Sequence, residues 1–556
     1  MHVAGDAFTG NSEVVTTKII EEAEKYFTYK ETQGFSADVE YIEEEFFDAE
    51  SDLEGHFYFL GKVKSPPYQK GVTQIVKSPL YEVLQPHLTE PAVLSPTDKR
   101  MDEIISPIVS SVEKYGRRVF PYPNQLMREA FGIVKDMYKP INQYNLRTFN
   151  HNDAVNSKFT PNLEKLDLST SAGYPWNTKG KNKTHLFDKD SQGNITIKPE
   201  LQNVVNRCEN LLDKKTMFPY TLVTTLKDER VSLKKVKIGK TRTFMNFPVE
   251  YTVLMRRYFD DFIDKETLHA FDIGTTVGVN IYSSQWHKLF LDLNEFDKVT
   301  DGDFKAFDGT IRPEFFKLYA DLVNSFYKDE FSNHRHLLCT GCCFAPMFVL
   351  DKVYMKFQGN PSGSRLTTSF NSFVNRMYVV MSMLRVLPAQ FHNNQFFRDN
   401  IKIFAHGDDH IIGFNNIVYD YWDAHELRFF MSSHGIEYTS SNKEEELKPH
   451  RPLNECFYLK SYFVYNRETG MYQAGLEKEV IQEMVSWQRD HDLKSTEMIC
   501  QTALRYAYFW GRRYFDEIYN KLDKAIKDKH LNIQLIDFTS LEQYYLYNGQ
   551  MDFSYV

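Results

Sequence analysis

Cysteine is scarce in this chain: six in 556 residues, at 208, 339, 342, 343, 456 and 500, with one close group. That scatter excludes a disulfide-stapled secreted scaffold and fits a reducing cytosol. Long apolar runs are also missing. A membrane-spanning helix needs about 20 consecutive apolar residues, and the nearest approach, Met377 to Leu387, is interrupted by Ser382 and Arg385. The start, Met1-His2-Val3-Ala4-Gly5, lacks the charged, apolar and cleavage regions of a secretory leader, so none is expected. A basic surplus is absent overall, with 66 Lys and Arg against 75 Asp and Glu and a net charge of −9. This weighs against a nucleic-acid partner only as an average, because such binding depends on local basic tracks.

What is present is material for a large core: 42% hydrophobic and 15% aromatic residues, in a chain long enough for two or three subdomains. Its organising stretch is Ile401 to Phe414, where two short apolar runs flank Gly407-Asp408-Asp409. This pattern predicts a β-hairpin with Gly at the first central turn position. The paired carboxylates are either a solvated turn or a rigid set of hard oxygen ligands suited to Mg²⁺.

Upstream, the first hundred residues are acidic and weakly patterned, with Glu43-Glu44-Glu45 at their centre. Leu126, Ala130, Ile133 and Met137 recur at helical spacing and predict a helix over 117–138. Leu168-Ser-Thr-Ser-Ala-Gly-Tyr-Pro-Trp176, with Lys179, Lys181 and Lys183 behind it, is either a phosphate-holding loop or an ordinary surface loop. Between Leu226 and Arg242 seven cations (Lys227, Arg230, Lys234, Lys235, Lys237, Lys240, Arg242) face only Asp228 and Glu229. This local excess, expected on a strand-turn-strand, suits a polyphosphate or an RNA backbone.

Asp303 and Asp308 lie where a strand end turns toward a helix starting near Pro313. His334, His336, Cys339, Cys342 and Cys343 match no standard zinc frame, and a buried cysteine cluster at a helix end is expected instead. A hairpin about Asp351-Lys352 leads into Gly359-Asn-Pro-Ser-Gly363 and a helix on which Thr367, Asn371 and Asn375 share one face. That polar stripe is either satisfied core or a substrate-facing edge. Tyr419 to Ser433 reads as one helix, Cys456 to Phe463 as an aromatic strand pair, and the chain from about 466 as helical. One apolar face there would be Val480, Ile481, Met484 and Val485.

In order and spacing these pieces resemble the RNA-dependent RNA polymerases of picorna-like positive-strand RNA viruses, with insect iflavirus- or dicistrovirus-like members in view. The resemblance rests on Ser169 to Pro175, Lys227-Asp-Glu with Gly239-Lys-Thr-Arg242, Asp303-x4-Asp308, and Pro361-Ser-Gly with Thr367 and Asn371. It continues through Gly407-Asp-Asp409, Lys443 and Leu459-Lys460. It implies an α+β, closed right-hand fold: fingers with an N-terminal extension over 1–270, palm over 271–312 and 359–465, a fingers insertion over 313–358, and a thumb over 466–556.

By the same resemblance, Asp303, Asp408 and Asp409 would hold Mg²⁺, with Mn²⁺ able to substitute, and no zinc is expected. Lys443 would protonate the pyrophosphate. Lys227, Lys240 and Arg242 would roof the triphosphate, and Asp308 and Asn371 would read the ribose hydroxyl, supported by Ser362, Gly363 and Thr367. Thr170 and Ser171 would line the template entrance, and Lys460 would grip the primer. Implied partners are template and primer RNA, nucleoside triphosphates, a genome-linked protein primer that is uridylylated, and other viral replication proteins. The implied location is host cytoplasm, at membrane-associated replication complexes. Ser461 stands where many relatives have Arg, which puts the strength of the primer grip in doubt, and Arg230 is given no contact. The rival readings are a reverse transcriptase, a catalytically silent RNA-binding protein and a metal-dependent nuclease.

Overall fold

The architecture grows outward from the Gly-Asp-Asp hairpin. The computed structural model describes residues 39–40 and 57–547, except 65, 68, 70, 85, 86, 181 and 443–445. The acidic run Glu43 to Glu45, Lys181 and Lys443 therefore lie outside the described residues. Among those described, strands β1 (Lys298–Phe304), β2 (Ile401–His406), β3 (Asp409–Phe414) and β4 (Tyr438–Thr439) form an antiparallel sheet in the order β2-β3-β1-β4. Its apolar residues alternate between two cores. Ile403 and Ile412 join the main helical core, while Phe404 and Ile411 pack with Trp286 and Phe463. Both faces are therefore covered, and one residue of register slip would move every side chain to the wrong core.

Four helices build the body behind the sheet: α1 (Asn124–Met137), α2 (Val249–Leu268), α3 (Ser332–Cys343) and α4 (Thr367–Val386). The expected helix over 117–138 starts only at Asn124. Pro121 and Pro123 bias the residues before them to extended backbone, and Pro123 sits at the cap position. Every residue of α4 from Ser369 to Leu384 is buried, as befits a helix inside a large body. Its Arg376 is buried too. It donates to Ile273 O at 2.8 Å and lies 4.0 Å from Glu266 of α2, which also accepts from Tyr138 at 3.2 Å. Paired in this way, the buried charges lock the end of α1 to α2 and α4.

A larger sheet includes strands Phe57–Val63, Leu222–Leu226, Thr243–Asn246, Ala345–Val349 and Lys352–Lys356, the last two forming the expected hairpin. Three expectations need correction. The basic stretch 226–242 is not a plain strand-turn-strand, because a short strand (Arg230–Ser232) and a helical turn (Leu233–Lys237) stand between the two strands and carry Lys234, Lys235 and Lys237. The helix expected over 419–433 breaks after Tyr419. Asp423 accepts the backbone N–H groups of His425 and Glu426 and starts a new helix, Ala424–Ser433. The chain after 466 is not helical at once, since strand Met471–Leu476 first pairs with Ser461–Asn466. Of the apolar face assigned there, Ile481 and Val485 are fully buried, but Val480 is 36% exposed.

Two short segments, Val76-Lys77 and Leu88-Thr89, reach residues beyond 480. Val76-Lys77 pairs with Trp487-Gln488, and Glu483 accepts the backbone N–H groups of Leu88 and Thr89, both at 2.6 Å. Hydrogen bonds to a charged group contribute about 1.5–3 kcal/mol each. Glu483→Ala is therefore expected to open the clasp, speeding limited proteolysis within 72–90 by roughly tenfold or more. An unchanged cleavage rate would show that the clasp is held elsewhere.

Candidate active site

His406 pairs with Asp409, which leaves Gly407 and Asp408 as a two-residue turn with φ +65° at Gly407, a value glycine adopts without strain. Helix α4 holds this turn by its backbone. Ser372 Oγ accepts from Gly407 N at 2.8 Å, and Asn375 Nδ2 donates to the carbonyls of Gly407 (3.1 Å), Asp408 (2.8 Å) and Asp409 (3.3 Å). For Asn375 the polar stripe is thus an edge facing the turn. Asp303 lies one residue beyond the Gly302–His410 pair, beside Asp409 in the register, where β1 passes to its Thr439 partner.

Asp408 is exposed at the turn tip, yet desolvation by the surrounding protein, with Asp308 and then Asp303 nearby, raises its carboxyl to about 6, and Lys114 opposes the rise. These carboxylates therefore share one electrostatic field. Among the described residues, no three acidic, histidine or cysteine side chains are drawn together as a ready metal cage.

Asp308 is aimed by a kink at Ala306, whose φ is +57°. Its carboxylate accepts from Ser362 Oγ at 2.7 Å and from Asn371 Nδ2 at 2.6 Å, while Asn360 donates to Asn371 at 2.9 Å. Thr367 Oγ1 donates to Ser364 O at 2.8 Å and tightens the same loop. At Gly363 an added Cβ would stand 2.0 Å from Met245 O, so this glycine serves the close approach of the loop to strand Thr243–Asn246.

Over this corner lies Arg242, an exposed side chain whose Nε bonds Glu229 at 2.6 Å. Its guanidinium is raised by that bond, and further by Asp408 and Asp308. Lys227 reaches the same Glu229 at 3.7 Å, and Lys460 acts on it electrostatically. Lys460 and Leu459 both have positive φ (61° and 48°), forming the tight turn between strands Phe457–Tyr458 and Ser461–Asn466. Such strained non-glycine turns are held only where the surroundings over-determine them. Lys240 is exposed at the end of the basic turn.

The sequence reading missed Lys114. Burial alone pushes its ammonium down, but Tyr115 and Asp308 outweigh this and hold it above the usual lysine range. Thr170 and Ser171 are bound locally: Thr170 donates to Asp167 O at 3.0 Å, and Ser171 accepts from Gly173 N at 3.2 Å. Lys183, offered as a phosphate holder, is buried instead. It bonds Thr170 and Asp167 O, and burial lowers its ammonium to about 8. Lys179 pairs with Glu200 at 2.8 Å. Cys339, Cys342 and Cys343 are buried in α3, while His334 and His336 turn to Asp213 and Asp321, each at 3.0 Å.

A carboxylate turn on an antiparallel sheet and the cations Arg242 and Lys114 thus share one corner of the molecule. The model of the viral RNA-dependent RNA polymerase family matches residues 79–526, and the chain belongs to that family. It is 28% identical to the genome polyprotein of rice tungro spherical virus (strain Vt6) over 82% of the chain, and 27% identical to the replicase polyprotein of cricket paralysis virus over 85%. The chain spans only 14% and 28% of those two polyproteins. The solved RNA-dependent RNA polymerase of a sicinivirus matches it with a TM-score of 0.75, 21% identity, and coverage of 88% of this chain and 99% of that one, a shared right-hand fold. These relatives group the chain with the picorna-like viruses.

Proposed function

We propose that this chain joins ribonucleotides on an RNA template by two-metal nucleotidyl transfer, copying a picorna-like positive-strand genome. The observation that carries this reading is the shared field of Asp408, Asp308 and Asp303, facing Arg242 and Lys114. A carboxyl held up to about 6 by desolvation and its acidic neighbours is relieved by a cation, and an all-oxygen donor set suits Mg²⁺ or Mn²⁺. Asp303, Asp408 and Asp409 would hold the ions. When bound, two divalent ions supply Lewis-acid activation of the primer hydroxyl and neutralisation of the leaving pyrophosphate.

The chain's own residues do the rest. Arg242, Lys227 and Lys114 hold the triphosphate against the carboxylate corner, with Lys240 at the rim. Asp308 and Asn371 accept and donate to the ribose 2′-hydroxyl, with Ser362, Gly363 and Thr367 shaping the loop beneath. Lys443 supplies the proton to pyrophosphate, Lys460 steadies the primer backbone, and Thr170 and Ser171 edge the template path. The subdomain division set out from the sequence, uridylylation of a protein primer and recruitment to membrane-associated replication complexes belong to the same reading. Among the described residues no helix is long and apolar enough to cross a membrane.

Gel-resolved primer extension with NTPs beside dNTPs tests this: NTP-dependent elongation is expected. Preferred dNTP use would point to a reverse transcriptase, primer shortening to a nuclease, and bound but unextended primer to a silent RNA binder. Asn371→Ala is expected to cut ribose discrimination by roughly 1–3 kcal/mol, the cost of an unpaired buried polar group. An unchanged NTP/dNTP ratio would remove Asn371 from sugar recognition. Protons compete with the cation for Asp408. Below pH of about 6, each unit of acid should therefore raise the Mg²⁺ needed for half-maximal extension by about tenfold. A requirement that stays flat down to about pH 5 would exclude Asp408 as the titrating ligand.

A further inference from the structure

Outside the carboxylate corner, the group with the least explained chemistry is Lys356. It ends strand Lys352–Lys356 with no exposure to solvent, and a lysine is almost never found there without compensation. Its Nζ donates to Cys342 O (2.5 Å), Cys343 O (2.8 Å), Gln358 O (3.3 Å) and Gly359 O (2.7 Å). Three N–H groups serve four carbonyls, so at least one is shared. Two of the acceptors belong to the last turn of α3, where helix carbonyls have no partner of their own and attract a cation. The other two open the loop that carries Asn360 and Ser362.

The next residues make the connection to the site. Asn360 N donates to Asp308 O at 2.7 Å, and Asn360 Nδ2 to Asn371 Oδ1 at 2.9 Å. Gln358 Nε2 donates to Gly309 O at 2.9 Å, one residue past Asp308. Tyr115, whose ring centroid is 5.7 Å from Lys356 Nζ, donates to Asn360 O at 3.3 Å. An apolar side chain would fill the same space, but it would not draw the carbonyls of two separate segments to one point.

We propose that Lys356 is a positioning residue for ribose selection: its ammonium ties the end of α3 to the root of the 359–362 loop and so fixes Asn360, Asn371 and Asp308. The inference rests on the reading that Asp308 and Asn371 meet the 2′-hydroxyl. Burial lowers the ammonium to about 8, opposed by Cys343 and Cys342. The groups facing it are those two thiols of α3, both raised by burial, and the Tyr115 phenol, raised likewise. Lys356 is therefore the group among them that titrates just above neutrality.

The test compares kcat/KM for NTP and dNTP on a primed template, in the full chain, for wild type, Lys356→Gln, Lys356→Met and Asn371→Ala. Asn371→Ala should lower the ratio, and Lys356→Gln should lower it by roughly tenfold, within the about hundredfold that a displacement near 1 Å costs at a reacting centre. In wild type the ratio should fall as pH rises through about 8, while in Asn371→Ala it stays level. Lowered discrimination in Asn371→Ala with wild-type ratios in both Lys356 variants would overturn the role of Lys356 and leave the ribose reading standing. An unchanged ratio in Asn371→Ala would overturn both. Where the Lys356 variants fail to fold, the wild-type pH series decides, and a level ratio up to about pH 9 overturns the proposal.

Discussion

Asp408→Asn is expected to abolish incorporation, lowering it by at least about 10³-fold, while RNA affinity and the unfolding transition stay near wild type. The amide keeps the shape of the side chain and removes only its charge. Ser372 and Asn375 hold the turn through the backbone N–H of Gly407 and the carbonyls of Gly407, Asp408 and Asp409, so none of these contacts needs the carboxylate. The sign of the titration agrees. A carboxyl raised from 3.8 to about 6 disfavours the folded chain in full above about pH 6, and that penalty fades only as the pH falls toward 3.8. The variant is then no less stable. Affinity for RNA depends on phosphate contacts from lysine and arginine, and its salt dependence should be unaltered. Extension within about tenfold of wild type would remove Asp408 from the ion-holding set. Lost RNA binding or a lowered unfolding midpoint would make the effect structural.

The palm hairpin was legible because a period of two and a glycine turn have one economical solution; Ile403 and Phe404 enter opposite cores as that alternation requires. The right-hand fold followed from the order of motifs. Charge was less informative, because a lysine in sequence carries no record of where its ammonium ends up. Lys183 looked like a phosphate holder and is buried against Thr170, while Lys234, Lys235 and Lys237 sit on a helical turn inside what was expected as a plain strand-turn-strand. Polar stripes were equally two-sided: Asn371 and Asn375 became interpretable only once Asp308 and the turn carbonyls were seen beside them. Strand Met471–Leu476 was passed over because its apolar residues run into the helical pattern that follows. Lys114 had no local signal. It precedes Tyr115-Gly116, just ahead of the helix pattern, and only tertiary folding brings it to Asp308 and Asp408.

Lys114→Met is expected to lower kcat/KM for nucleotide by about 10²-fold, the scale for loss of one positioned charge donor at a reacting centre. Two cations, Lys114 and Arg242, stand within each other's field: the arginine opposes protonation of the lysine, while Asp308 favours the charged form of both. Holding like charges together costs free energy, and a polyanion such as a triphosphate offsets it when bound. Methionine preserves the length and packing of the side chain, so the loss should appear in nucleotide binding and turnover rather than in folding. A second readout separates a charge role from a packing role. Lys114 holds the Asp408 carboxyl down, so its removal should raise that group further above about 6 and move the acid limb of the activity profile to higher pH. Lys114→Arg, which keeps the charge, should leave the limb near its wild-type position. A reduced rate with an unmoved limb would assign Lys114 to packing, and an unchanged rate would place the triphosphate elsewhere under the roof.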